Sequence, residues 1–262
     1  MRSVSVRFLG YQGGMVHVFL HGWPETPACW RGVMRAAEGQ ATTIALDLLE
    51  LGAGTDGTKA ALAAAVHEII GHEPDVTLVG HDCGGMVAYA YLRRYPLRRA
   101  VIMNTVVPGV APWEDVRRNP YIWHFGLHAV PDLPELLVAG RERAYFDYFY
   151  DVLSPTPDAV PGPMRDEYAA AYATGANLKT GFDWYRAFPA DAAANAEPAD
   201  VSTPLLYLRG EHEGGDIAAY AAGLRASGVR DVTTAVIPGA GHFAPDQCPD
   251  AVWRLIREPA PR

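Results

Sequence analysis

The stretch VGHDCGGMVAYAYLRR, residues 79–94, runs from an apolar segment straight into Asp82. It then passes through Gly84 and Gly85 into a helix-forming segment. Gly80 and Gly84 stand two places before and two places after the aspartate. A sharp strand-to-helix turn needs small residues there, because larger side chains collide with neighbouring backbone. The central side chain then projects beyond the carboxyl end of the sheet, where N–H groups at the helix start favour an anion. Taken alone, the same residues also fit an aspartate that merely caps a helix. The rest of the chain separates the two readings.

Outward from this stretch, short apolar runs alternate with helix-like segments. MVHVFL (15–20), TTIALDL (42–48), VTLVG (76–80), RAVIMN (99–104), PLLYLRG (204–210) and VTTAVIP (232–238) are short, β-branched and bounded by Gly, Pro or charge, as buried strands are. Segments 28–39, 59–72, 85–96, 216–228 and 249–259 read as helices. Such alternation predicts an α/β fold with a mostly parallel sheet covered by helices on both faces. The rhythm breaks over residues 108–198, rich in Trp, Tyr, Phe and Pro and without a strand run. There PELLVAGRERAYFDYFY (134–150) repeats its apolar residues at helical spacing. The expected organisation is a core of 1–107 and 199–262 with a helical lid, 108–198, inserted between two strands.

The 262 residues are 49% hydrophobic and carry a net charge of −8, with only two lysines, Lys59 and Lys179. That balance argues against nucleic acid or an anionic membrane surface as partner. No apolar run approaches a membrane span of ~20 residues, and the N-terminal MRSVSVRFLGYQGG has no apolar leader. Cys29, Cys83 and Cys248 have neither disulfide nor zinc spacing. The expectation is a cytoplasmic protein acting on a small molecule, without metal or cofactor; its oligomeric state is not legible here.

An aspartate at such a turn has a distinct chemistry. Its carboxylate displaces a leaving group from saturated carbon and forms an alkyl ester, which a histidine-activated water then hydrolyses. No Gly-x-Ser-x-Gly occurs in the chain. PGAGHFAPDQCPD (238–250) follows the last strand and sets His242 in a glycine-rich turn, a natural place for the base. LHGWPET (20–26) follows the first strong strand, and the backbone N–H of Trp23 is suited to hold an oxyanion together with that of Cys83. Pro24 suits a cis bond.

Together, LHGWPET, DLLELGAGTD (47–56), GHDCGG (80–85), WHF (123–125) with PDLPELLVAGRERAY (131–145), GFDWYR (181–186) and PGAGHF (238–243) resemble the epoxide hydrolase and dehalogenase branch of the α/β-hydrolase family, in order along almost the whole chain. The resemblance implies Asp82 as nucleophile, His242 as base, Trp23 and Cys83 as oxyanion donors, and the insertion as substrate cover. It also implies an acid that orients the histidine. Many relatives carry that acid in a phrase similar to VIMNTVVPG (101–109), where this chain has Asn104. Others carry it where this chain reads LRGEHEGGD (208–216), with Glu213 best placed and Glu211 and Asp216 close by. Epoxide hydrolases commonly use two lid tyrosines to hold the ring oxygen. The first matches Trp123, followed by His124; for the second, Tyr168 matches best, with Tyr185 as a neighbouring candidate.

The expected activity is epoxide opening to a diol on a largely apolar small molecule. Dehalogenation by the same aspartate is the nearest alternative. Haloalkane dehalogenases place Trp after the nucleophile and fluoroacetate dehalogenases place arginines there, whereas Cys83 and Met86 fill those places here. A catalytically inactive binding member of the fold is a third possibility, motivated by Asn104 and Trp123. GAGTDG (52–57) fits a dinucleotide fingerprint, but five residues separate it from the strand and no Tyr-x-x-x-Lys follows. HEIIGH spaces His67 and His72 one residue too far apart to share a helix face.

Overall fold

The computed structural model describes residues 15–73 and 75–257. The N-terminal stretch 1–14, read above for a leader, and the last residues of the expected helix 249–259 lie outside them. All six expected strands form, as β1 (Val16–Leu20), β2 (Thr42–Leu46), β3 (Val76–His81), β4 (Arg99–Met103), β5 (Leu205–Gly210) and β6 (Val232–Ile237). They pair in parallel in the order β2-β1-β3-β4-β5-β6. Every residue of β1, β3 and β5 is buried, as strands covered on both faces require.

The core helices are α1 (Arg31–Ala36), α2 (Leu48–Gly52), α3 (Lys59–Ile70) and α4 (Cys83–Leu92). The chain winds outward from β1 to β2 and then returns to place β3 on the other side of β1. That reversal opens a crevice at the carboxyl ends of β1 and β3, the usual ligand position in open α/β sheets. The HGWP turn leaves β1 and the GHD turn leaves β3, so both face this crevice.

Between β4 and β5 the described residues form seven helices and no strand: α5 (Trp113–Arg118), α6 (Trp123–His128), α7 (Leu133–Val138), α8 (Glu142–Val152), α9 (Gly162–Tyr172), α10 (Gly175–Arg186) and α11 (Phe188–Ala196). The pattern 134–150 is one continuous repeat in sequence but two helices in space. Gly140, at φ +75°, turns the chain between α7 and α8. After β5 the core resumes with α12 (Ile217–Ala226), α13 (Ala244–Gln247) and α14 (Pro249–Arg257).

The insertion is tied to the core by a buried ion pair. Lys59 at the start of α3 reaches Asp191 of α11 at 2.8 Å, and its backbone N–H donates to the same carboxylate. No described helix is long and apolar enough to cross a membrane.

Candidate active site

Asp82 sits at φ 47°, ψ −119°, a conformation that non-glycine residues rarely adopt. The flanking glycines make it possible. A Cβ on Gly80 would stand 2.2 Å from the Gly84 carbonyl oxygen, and one on Gly84 would stand 2.4 Å from that of Leu20. The turn is locked from below. The Asp82 carbonyl accepts from the N–H groups of Gly85 and Met86 and from the Thr105 hydroxyl, while the Asp82 N–H donates to Met103. All of its backbone polarity is therefore consumed underneath, and the carboxyl group is presented on top.

The HGWP turn lies against it. The Trp23–Pro24 bond is cis, and the Trp23 N–H donates to Asp82 Oδ2 at 2.9 Å. Gly22 permits this approach, since a Cβ there would lie 2.7 Å from the Asp82 Cβ. Two tyrosines of the insertion hold the turn from above: Tyr150 donates to the Pro24 carbonyl at 2.7 Å and Tyr172 to that of Glu25 at 3.2 Å. Cys83 supplies the first N–H of α4, among the donors that a helix leaves without an intrahelical acceptor.

His242 donates from Nδ1 to Glu213 Oε1 at 3.2 Å. Of the three acids after β5, Glu213 alone faces the imidazole. Glu211 instead accepts from the Gly239 N–H, and Asp216 caps α12. Burial by itself lowers the His242 pKa, but Glu213, then Asp82 and Glu25, outweigh it and raise the ring to about 9. Burial likewise pushes Glu213 up, yet His242 and Arg209 hold its carboxyl below the usual range. Asn104, where many relatives carry an acid, has become a strut. Its Nδ2 donates to the carbonyls of Gly241 and His242, and its Oδ1 accepts from the Gly210 N–H.

One pair was invisible as a functional unit in the sequence, although both members lie in the quoted motifs. His81 and Glu25 are fully buried and meet at 2.8 Å, while the other His81 nitrogen contacts the His242 carbonyl at 2.8 Å. Both ring nitrogens face acceptors, so the arrangement calls for an imidazolium. Burial opposes that charge; Glu25 overcomes it and raises the His81 pKa.

Above Asp82 and His242 lies a cavity of about 530 Å³, within the range typical of small-molecule sites. Its lining from the insertion includes the rings of His124, Phe125, Phe149 and Tyr185 and, besides other residues, Asp115. Two of the expected lid donors stand elsewhere. Trp123 is 41% exposed, lies outside the cavity lining, and points its indole N–H at the Tyr148 hydroxyl, 3.3 Å away. Tyr168 is fully buried and spends its hydroxyl on Asp246 at 2.8 Å. The neighbouring candidates His124 and Tyr185 do line the cavity, with ring centroids 5.9 Å apart. Burial lowers the His124 pKa to about 4, and its buried Nδ1 has no partner among the described residues.

The two other motifs are structural. The glycines of GAGTDG end α2 and form a turn, where Gly57 packs on the Asp183 backbone. His67 binds the Tyr91 hydroxyl and stacks on Tyr95, and no metal-holding group of His, Cys, Asp or Glu occurs among the described residues.

Fold and site define an α/β-hydrolase. The model of the alpha/beta hydrolase family matches residues 18–255, and the chain belongs to that family. It is 28% identical over 251 residues to the soluble epoxide hydrolase of Corynebacterium sp. strain C12, covering 90% of this chain and 86% of the relative. The crystal structure of wild-type Cfl2 from Burkholderia cenocepacia superposes with a TM-score of 0.83 at 29% identity, over 95% of this chain and 88% of that one. A ligand-free structure of the epoxide hydrolase CorEH gives 0.78 at 25%, over 92% and 89%. The chain is thus an epoxide-hydrolase-like enzyme of the family.

Proposed function

We propose that the protein hydrolyses an epoxide to a diol through an ester on Asp82, with residues 108–198 serving as a cap over the core. The observation that carries this reading is the junction of three groups at one cavity: a carboxylate on a glycine-flanked turn, a carboxylate-backed histidine, and neutral ring donors on the opposite wall. In the first step an Asp82 oxygen attacks a ring carbon and the carbon–oxygen bond of the epoxide breaks. His124 and Tyr185 hold the departing oxygen as it takes up a proton from the solvent. Neither is charged near neutrality, since burial lowers the imidazole to about 4 and raises the phenol.

Ester formation removes the negative charge of Asp82, one of the groups that raise the His242 pKa. His242 thereby gives up its resting proton to the solvent and is neutral when a base is needed. His242, aligned by Glu213, then takes a proton from water, and the resulting hydroxide attacks the Asp82 carbonyl carbon. The Trp23 and Cys83 N–H groups hold the tetrahedral oxyanion. Collapse expels the diol oxygen, which takes the proton back from His242, and the carboxylic acid left on Asp82 passes its proton to His242, restoring both groups.

The aromatic wall and the absence of an arginine clamp after Asp82 favour a largely apolar substrate. The test is His242→Gln incubated with a panel of aryl epoxides. The expected result is a stable mass increase on the Asp82 peptide equal to the epoxide, with diol from the wild type. Halide release from haloalkanes without any diol formation overturns the reading in favour of dehalogenation.

A further inference from the structure

We propose that Arg209 is a positioning residue: it holds and electrically balances Glu213, and so sets how tightly the Glu213 carboxylate retains the His242 proton. The inference rests on the roles proposed above for Glu213 and His242, but it is testable in the resting protein without any substrate.

Arg209 lies on β5, only 6% exposed, and its side chain reaches the cavity wall. A buried guanidinium needs an anion. Among the described residues the only carboxylate in ion-pair reach is Glu213, with Nη2 3.7 Å from Oε1. That oxygen is the one that accepts the His242 proton at 3.2 Å. One carboxylate oxygen is therefore shared between a fixed cation and the base. At 3.7 Å the arginine acts by its charge and leaves the closer hydrogen bond to the histidine.

The guanidinium has little freedom to move. Nη1 donates to the Tyr207 hydroxyl at 3.0 Å, Nη2 donates to the Gly214 carbonyl, and the group lies 4.2 Å above the Tyr220 ring. Tyr207 in turn donates to the Thr105 carbonyl at 2.8 Å, and the Thr105 hydroxyl donates to the Asp82 carbonyl. The acid is thus held by the same buried chain of partners that locks the nucleophile turn.

The charge balance around His242 explains the need. Glu213 after β5, Asp82 after β3 and Glu25 after β1 all favour its imidazolium, whereas the nearby His81 at the end of β3 repels it. On the insertion, His124 is electrostatically coupled to His242 but is held neutral by burial. Three carboxylates against two buried imidazoliums, His81 and His242, leave one negative charge in excess and the base over-held. Arg209 supplies the third positive charge, on the far side of Glu213.

The measurement is the midpoint of His242 by NMR of ring-labelled histidines in the full chain, assigned with His242→Gln. Arg209→Met is expected to raise the midpoint by about one unit, and Arg209→Lys to stay within a few tenths of the wild type. Tyr207→Phe, which frees the guanidinium, is expected to shift it upward by about half as much and serves if Arg209→Met does not fold. On turnover, the acid limb of ester hydrolysis is expected to move upward with Arg209→Met and to return with Arg209→Lys. An unmoved midpoint in a folded Arg209→Met, or in Tyr207→Phe when Arg209→Met does not fold, overturns the proposal. Absence of epoxide turnover by the wild type overturns only the proposed function, because the titration is read without substrate.

Discussion

His242 and His124 line the same cavity, yet their environments drive them in opposite directions. His242 stands among Glu213, Asp82 and Glu25 and is raised to about 9; His124 stands among Phe125, Phe149 and Tyr185 and is lowered to about 4. Burial acts the same way on both, disfavouring the charged ring. The difference is the nearby carboxylates, which outweigh burial in one case only. One fold thereby keeps a proton-holding ring and a neutral ring across a single cavity, the separation that acid–base chemistry at neutral pH requires. The core floor works with charges and fully used backbone groups. The roof contributed by the insertion faces them with the aromatic rings of His124, Phe125, Phe149 and Tyr185, alongside aliphatic residues and Asp115.

The sharpest way to break this comparison is to remove the floor. Asp82→Ala is expected to lower turnover by roughly 10⁴-fold or more, measured as diol formation, and to lower the His242 midpoint because a facing carboxylate is lost. Glu213→Gln comes next. It is expected to bring the His242 midpoint down toward its ordinary 6.5 and to slow ester hydrolysis by roughly 10²–10³-fold, read in single-turnover experiments. On the roof, His124→Phe and Tyr185→Phe are each expected to slow ester formation by about 10²-fold, with hydrolysis of the formed ester little changed. Trp123→Phe and Tyr168→Phe are the contrast, expected to leave the rate of ester formation near wild type. A large loss with Trp123→Phe would return the oxygen-holding role to the residue that faces solvent.

The smallest effects concern stability. His242 has a folded pKa above its unfolded value, so its contribution is fully present below pH 6.5 and is lost as pH rises toward 9. His124 has a folded pKa below its unfolded value and is folded as the neutral ring. Its contribution is full above pH 6.5 and is lost as pH falls toward 4. Urea unfolding from pH 4 to 9 is therefore expected to show a weakened alkaline limb of this decline in His242→Gln and a weakened acid limb in His124→Phe. Unchanged limbs in both variants contradict the assigned environments.

These two regions were also unequally legible. Asp82, Trp23 and His242 sit in turns punctuated by glycine or proline, where backbone geometry allows few directions for the side chain. Their sequence spacing therefore carried their spatial meaning. In the insertion, Trp123 and His124 are neighbours at the start of a six-residue helix, about 100° apart around its axis. Which of them faced the cavity depended on a single rotation that the pattern of aromatics left open. Tyr168 was diverted by Asp246, four residues beyond His242, a partner that no spacing rule connects to α9. The choice among Glu211, Glu213 and Asp216 similarly waited on the path of one loop. Asn104 read as a missing acid, whereas its amide braces the histidine turn with two donors that a carboxylate lacks.

The most direct test of the central claim is a single turnover with excess enzyme in heavy-oxygen water, followed by peptide mapping. The account predicts one heavy oxygen in the Asp82 side chain and none in the diol, because water attacks the ester carbonyl and not the substrate. Heavy oxygen in the diol with an unlabelled Asp82 would contradict it, since water would then have opened the ring directly.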